Sequence, residues 1–384
     1  MKVASVFCVA ASALALVPAL AGTQQAGKAQ QARPAEPRES ENAAAAADPF
    51  ARPLPEARTW QAIVQAADAA DLPAGDEVNL DSSTSAQPIA AATFCALHGL
   101  PLKWTQSGWT GEARLIPDVP DPQPDERIRQ YRLPATSGTH AAYLQLIEGD
   151  TDLTFEARKP SEDELKLMEE KGVELERKPL ARDAFVFIVN HQNKVEGLTL
   201  EQVHDIYTGK ITKWDQVGGA DLPIHAYQRN RNSGSQVLME RLVMKGAEMI
   251  EPRAMTHRSM IGPINAMNRD PLGLGFTVHY YERFMAPPDD SRRGLRIKND
   301  KGAQPEEPPT RLRRMLAIDG VEPTPQAIAD GQYPLTCPVY IVIRKQTPAD
   351  SPARRLRDWL LTPDGQNLIA AIGYVPLKRS HDHP

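Results

Sequence analysis

Ala184-Phe185-Val186-Phe187-Ile188-Val189 is a run of six apolar residues without a polar break. A strand with one wet face alternates apolar and polar residues. An unbroken run of this length instead suits a strand buried on both faces, inside a sheet covered by helices. Upstream, Trp60, Ile63, Val64 and Ala67 recur at helical spacing before Pro73-Ala74-Gly75, and strand-like Val78-Asn79-Leu80 runs into Asp81-Ser82-Ser83-Thr84-Ser85. A helix near Pro88–His98 follows, then a proline-studded acidic loop over Pro117–Asp125. Downstream come helical stretches over Leu200–Tyr207 and Ser235–Lys245, and a charged, proline-rich insertion over Met285–Thr310. A strand over Val339–Ile343 and a helix over Pro352–Leu361 close the pattern. Strands alternating with helices predict an α/β architecture of mixed, mostly parallel sheets flanked by helices.

The chain has 384 residues, 41% of them hydrophobic, enough for two lobes with cores of their own. Its 44 basic and 49 acidic residues give a net charge of −5, which argues against a nucleic-acid partner, since such binders are usually basic. Three cysteines exclude a disulfide-rich scaffold. Lys2, the apolar run Val3–Leu20 and the ending Ala19-Leu20-Ala21 read as a cleavable secretory signal, 1–21, which places the chain in the periplasm or outside the cell. An uncleaved anchor is the alternative. Cys95 and Cys337 then either pair or remain as two buried thiols. The 34 prolines are roughly double the average usage. Many fall in the acidic loop, in the insertion and in 22–55, an Ala/Gln/Pro/Glu segment that reads as a disordered tether.

Three small-hydroxyl clusters precede expected helices: Asp81-Ser82-Ser83-Thr84-Ser85, Ala135-Thr136-Ser137-Gly138-Thr139 and Asn232-Ser233-Gly234-Ser235. Hydroxyls and free backbone N–H groups there can hold an anion at the positive end of a helix dipole. Any one of them also reads as a plain helix cap; three together make converging donor loops plausible. Arg229, four residues before Ser233, can offer a charged fork to an oxyanion, with Arg231 the nearer alternative and Arg158 a similar candidate. Enzyme motifs are missing: there is no Gly-x-Ser-x-Gly elbow, Walker loop, Cys-x-x-Cys or His-Glu-x-x-His. The nearest histidine pair, His381 and His383, lies on the C-terminal tail, and Trp104, Trp109 and Trp214 read as packing residues.

At Tyr207-Thr208-Gly209-Lys210-Ile211-Thr212-Lys213-Trp214-Asp215-Gln216-Val217-Gly218-Gly219 the sequence resembles the periplasmic phosphate-binding proteins of phosphate ABC transporters. The resemblance continues in order through Arg229…Ser233-Gly234-Ser235, Gly273-Leu274-Gly275-Phe276, Ala317–Thr324, Gly331–Leu335, Thr362–Gln366 and Gly373–Leu377. It implies a two-lobed type II periplasmic-binding-protein fold. Lobe one would comprise 76–188 plus 277–384, lobe two 189–276, with the ligand cleft between them. It also implies that Ser83, Thr84, Ser85, Ser137, Gly138, Thr139, Arg158, Arg229, Ser233, Gly234 and Ser235 hold inorganic phosphate without cofactor or metal. The expected partner is the membrane permease of a phosphate ABC transporter, and the binder is a monomer. Ser235 replaces a common threonine. Arg158 stands where some members carry an aspartate that accepts the phosphate proton, which leaves Glu156 and Asp81 as candidate acceptors. An oxyanion-sensing or adhesion module is the alternative function; a hydrolase lacks a nucleophile–base pair.

Overall fold

The structure is a computed structural model and describes residues 51–72, 78–107, 110–119, 133–251, 256–257, 259–287 and 311–377. The expected signal segment, most of the tether, the rest of the acidic loop, 288–310 of the insertion, Trp109, His381 and His383 lie outside the described residues. Eight strands build the main sheet: β1 (Leu80–Ser82), β2 (Leu153–Glu156), β3 (Leu175–Asn190), β4 (His225–Ala226), β5 (Gly273–Val278), β6 (Arg313–Met315), β7 (Thr336–Arg344) and β8 (Val375–Pro376). They are ordered β1–β2–β7–β3–β5–β4, with β6 and β8 also paired to β3.

The apolar run Ala184–Val189 is the second half of β3, a strand of 16 residues. Leu175–Ala184 pair antiparallel with β7, and Phe185–Val189 pair antiparallel with β5. The sheet is therefore mixed. Parallel pairing occupies its two ends, β1 with β2 and β4 with β5, while the strands at its centre run antiparallel. The β1–β2 link is long enough for the crossover that a parallel pair requires.

The helices include α1 (Ala57–Ala69), α2 (Gln87–His98), α3 (Thr139–Glu148), α4 (Glu162–Lys171), α5 (Leu200–Tyr207) and α6 (Gly234–Met239). α1 buries Trp60, Ile63 and Ala67, the residues whose spacing predicts it. α6 continues into a wider π turn over Glu240–Met244, so the expected helix over 235–245 is one helix with a change of pitch. Arg52 and Pro53, expected within the tether, are anchored: Arg52 Nε donates to the Phe284 carbonyl at 2.7 Å, and Trp104 Nε1 to that of Pro53 at 2.9 Å.

Phe185, Phe187, Phe276 and Tyr207 form an aromatic cluster between β3, β5 and α5. Ring centroids lie 5.4 Å apart for Phe185–Phe187 and Phe185–Phe276, and 5.8 Å for Tyr207–Phe276. Such pairs add about 0.5–1.5 kcal/mol each beyond area burial. Cys95 and Cys337 are free and buried, and burial pushes both thiols up, away from the reactive thiolate. Truncating Phe276→Ala should lower the unfolding free energy by about 3–5 kcal/mol, measured as a shift of the urea midpoint.

Candidate functional site

β1 delivers the first hydroxyl cluster. It ends at Ser82, and the chain passes through Ser83 into a single tight turn, Thr84–Ala86, ahead of α2. Asp81 is buried, and its Oδ1 accepts the N–H of Ser82 at 2.7 Å and that of Ser137 at 3.0 Å. The second cluster is thereby tied to the first. Ala135 N–H donates to the Leu80 carbonyl at 3.0 Å and Gly138 N–H to that of Ser82 at 3.3 Å. Gly138 stands immediately before α3 with φ +83°, a conformation that side-chain-bearing residues rarely adopt.

The third cluster follows a short strand, Gln228–Arg229. Asn232 takes φ +64°, one of the few residues other than glycine that tolerates this region. Ser233 then caps α6, its Oγ accepting the Gln236 N–H at 3.3 Å. Gln236 Oε1 in turn accepts the backbone N–H of Arg229 at 3.0 Å, and Arg229 Nη1 donates to Ser235 Oγ at 3.1 Å. The second and third clusters touch: a Cβ at Gly234 would lie 2.9 Å from Thr139 Oγ1. Only glycine lets the loops approach this closely without a shift.

A cavity of about 440 Å³ opens between them. Thr84, Ser85, Ser137, Gly138 and Thr139 line it from one side, and Arg229, Ser233, Gly234 and Ser235 from the other. Arg229 is 7% exposed, and burial pushes its guanidinium down to about 10, so it remains a cation near neutrality. Among the described residues no group of three His, Cys, Asp or Glu could hold a metal ion.

Two of the residues carried over by resemblance do not line this cavity. Ser83 is buried beneath it, 1% exposed. Arg158 has a side chain with no exposed surface, and its two terminal nitrogens are committed elsewhere, while the buried Nε has no partner among the described residues. Nη1 and Nη2 grip the Glu164 carboxylate at 2.6 and 2.8 Å, Nη1 also reaches the Lys159 carbonyl at 2.9 Å, and Nη2 that of Asn232 at 2.8 Å. Its role here is to tie the third cluster to the start of α4. Glu156 and Asp81 are likewise buried and off the wall, and burial pushes the Glu156 carboxyl well up. Arg231 does line the cavity, but its Nη2 pairs with Asp163 at 2.6 Å.

Sequence reading missed Glu112, Arg114 and His140 on the wall. Glu112 immediately precedes, and Arg114 lies within, a strand, Ala113–Pro117, paired in a hairpin with Leu102–Gln106. A period-two signal was present: Ala113 and Leu115 are buried, and the charged neighbours between and before them share the opposite face.

A family model, the PBP superfamily domain, matches residues 131–363. The phosphate-binding protein PstS of Staphylococcus epidermidis is 27% identical over 244 residues, 62% of this chain and 68% of that protein. PstS of Staphylococcus saprophyticus is 27% identical over 221 residues, 56% of this chain but only 62% of the relative. Among solved structures, a Clostridium perfringens protein assigned as a phosphate ABC transporter substrate-binding protein, with phosphate bound, superposes with a TM-score of 0.54. The match has 21% identity and covers 78% of this chain and 99% of that one. An ABC-type phosphate transport receptor from Vibrio cholerae gives 0.50 at 22% identity, covering 78% and 99%. These structures share the fold, and the resemblance seen at Tyr207–Gly219 is borne out.

Substituting Glu164→Gln leaves the Arg158 cation buried without its counter-charge. The expected cost is about 3–5 kcal/mol of stability, read from urea unfolding.

Proposed function

This chain belongs to the PBP superfamily, and we propose that it is an extracytoplasmic solute-binding protein that captures inorganic phosphate and hands it to a membrane permease. The observation that carries this reading is the meeting of three hydroxyl clusters and Arg229 around one cavity. Two of the hydroxyls are set up as donors. Ser137 Oγ accepts from Gln145 Nε2 at 3.0 Å and Ser233 Oγ from the Gln236 N–H, which leaves each O–H proton for a ligand oxygen. Phosphate presents four oxygens to such donors, and Arg229 supplies the charge.

Residues 76–188 with 277–384 form one lobe in this reading, and 189–276 the other. The first two clusters then belong to lobe one, Arg229 and the third cluster to lobe two. An anion bonded from both sides stabilises the closed arrangement by its higher affinity for it, as hinge closure requires. Binding is reversible, and the protein transfers its ligand without covalent chemistry. The apolar run Val3–Leu20 supports export; among the described residues no helix is long and apolar enough to cross a membrane.

Discrimination against sulfate needs an acceptor for the proton of HPO₄²⁻, because a buried acceptor facing a fully deprotonated anion is left unpaired and repelling. Glu112 is the carboxylate on the described cavity wall and takes this role. Calorimetric titration with phosphate and sulfate tests both parts. Arg229→Ala should weaken phosphate binding more than tenfold, in line with the roughly 1.5–3 kcal/mol of a charged hydrogen bond. Glu112→Gln should narrow the phosphate-over-sulfate preference while retaining phosphate binding. An Arg229→Ala variant with unchanged affinity removes the cavity as the site.

A further inference from the structure

His140 is the second residue of α3, directly after Thr139, and its ring lines the cavity. Its Nδ1 lies 2.8 Å from Glu164 Oε1. The carboxylate is an acceptor, so the proton sits on Nδ1 and Nε2 is the nitrogen left for a ligand. Glu164 is itself immobilised: it is 0% exposed, gripped by both terminal nitrogens of Arg158, and it accepts the Ser161 N–H at 2.7 Å. Such a fixed carboxylate partner holds an imidazole in one tautomer and one orientation.

We propose that His140 contacts the bound anion through Nε2 and couples phosphate binding to proton uptake, with Glu164 and Arg158 as the residues that position its ring. This rests on the cavity being the phosphate site. The charges around the imidazole favour such coupling. Arg229, Arg231 and Arg114 share the cavity wall and oppose a second proton on the ring. Glu112 on the same wall and Glu164 behind the ring favour it; Glu164 is largely balanced by Arg158, and Asp163 is engaged by Arg231 and Asn232. Glu156 lies buried in the layer beneath. An anion entering beside Nε2 adds an opposite charge and raises the ring's affinity for a proton. By linkage the proton raises affinity for the anion equally. The gain is complete below the free histidine's titration range and is lost as pH rises through the ligand-bound value.

The test is calorimetry of the full chain with inorganic phosphate at neutral pH in two buffers of different ionisation enthalpy, for wild type and His140→Gln. Gln keeps a polar group of similar reach at a side chain 39% exposed, so the fold should be unaffected. Phosphate's own ionisation is common to both proteins, so the difference between them reads the histidine. Wild type should take up measurably more protons per phosphate than the variant. The variant's affinity should be several-fold weaker at pH 6 and close to wild type at pH 8.5. Equal proton uptake with parallel affinity–pH curves overturns the role of His140 while leaving the phosphate site standing. Absence of any phosphate heat in wild type overturns both. Positioning by Glu164 is read from the His140 ring nitrogen resonances in phosphate-free Glu164→Gln: wild type should hold the proton on Nδ1 and the variant should mix the two tautomers, and an unchanged tautomer removes Glu164 from the arrangement.

Discussion

Everything in the main sheet is referred to β3. Leu175–Ala184 carry β7 and Phe185–Val189 carry β5, with β6 and β8 paired to it as well. The second half of β3 has no wet face, with Phe185–Val189 each fully buried, whereas Glu176–Pro179 in its first half are partly or fully exposed. Where the two pairings meet, Asp183 Oδ1 accepts the N–H of Ala184 at 2.7 Å and of Tyr280 at 3.0 Å, stapling β3 to the segment after β5. Burial lifts this carboxyl to about 7. The polar bond is thus kept at one point of an otherwise apolar crossing, which sets register where hydrophobic contact alone would allow sliding.

The second organising contact is the Arg158–Glu164 pair. A buried ion pair adds little net stability, because desolvating two charges consumes most of their attraction. What it adds here is geometry. Arg158 reaches Asn232 and so holds the turn before Ser233; Glu164 reaches His140 and so holds the first turn of α3. Both hydroxyl loops that meet at Gly234 and Thr139 are referenced to one rigid, solvent-excluded fork. Loops on which function depends are usually the mobile parts of a fold, and this pair limits that freedom where donors must converge.

The fold was legible because its signals are local. Six apolar residues in β3, the spacing of Trp60, Ile63 and Ala67, and the Leu200–Tyr207 helix each declare themselves within a short window. The hydroxyl clusters were legible for the same reason. Arg158 was not, since its partner is chosen in three dimensions, although Ser161-Glu162-Asp163-Glu164 is a capping box and already placed a carboxylate at the start of α4. Pattern reading gives which residues can cap a helix, not which cation the same carboxylate will also hold. Glu112 and Arg114 escaped because their hairpin packs on α2 across intervening chain, and His140 because a lone histidine carries no spacing to read.

An anion site must also silence the acids around it. Asp81, Glu156 and Glu164 all lie close beneath the hydroxyl loops, and three unshielded carboxylates there would repel an oxyanion. Each is dealt with differently. Asp81 spends Oδ1 on two backbone N–H groups, which share its charge. Burial drives Glu156 toward its neutral acid, with Thr154 donating to Oε1 at 2.8 Å. Glu164 is matched by Arg158 at 2.6 Å. The charged side chains left on the described cavity wall are then Arg114, Arg229 and Arg231 with Glu112, Arg231 being paired with Asp163, and neutral hydroxyls do the rest. Two of these acids also tie the donor loops together: Asp81 holds the second cluster to the first, and Glu164 holds α3 to Arg158, which reaches the third.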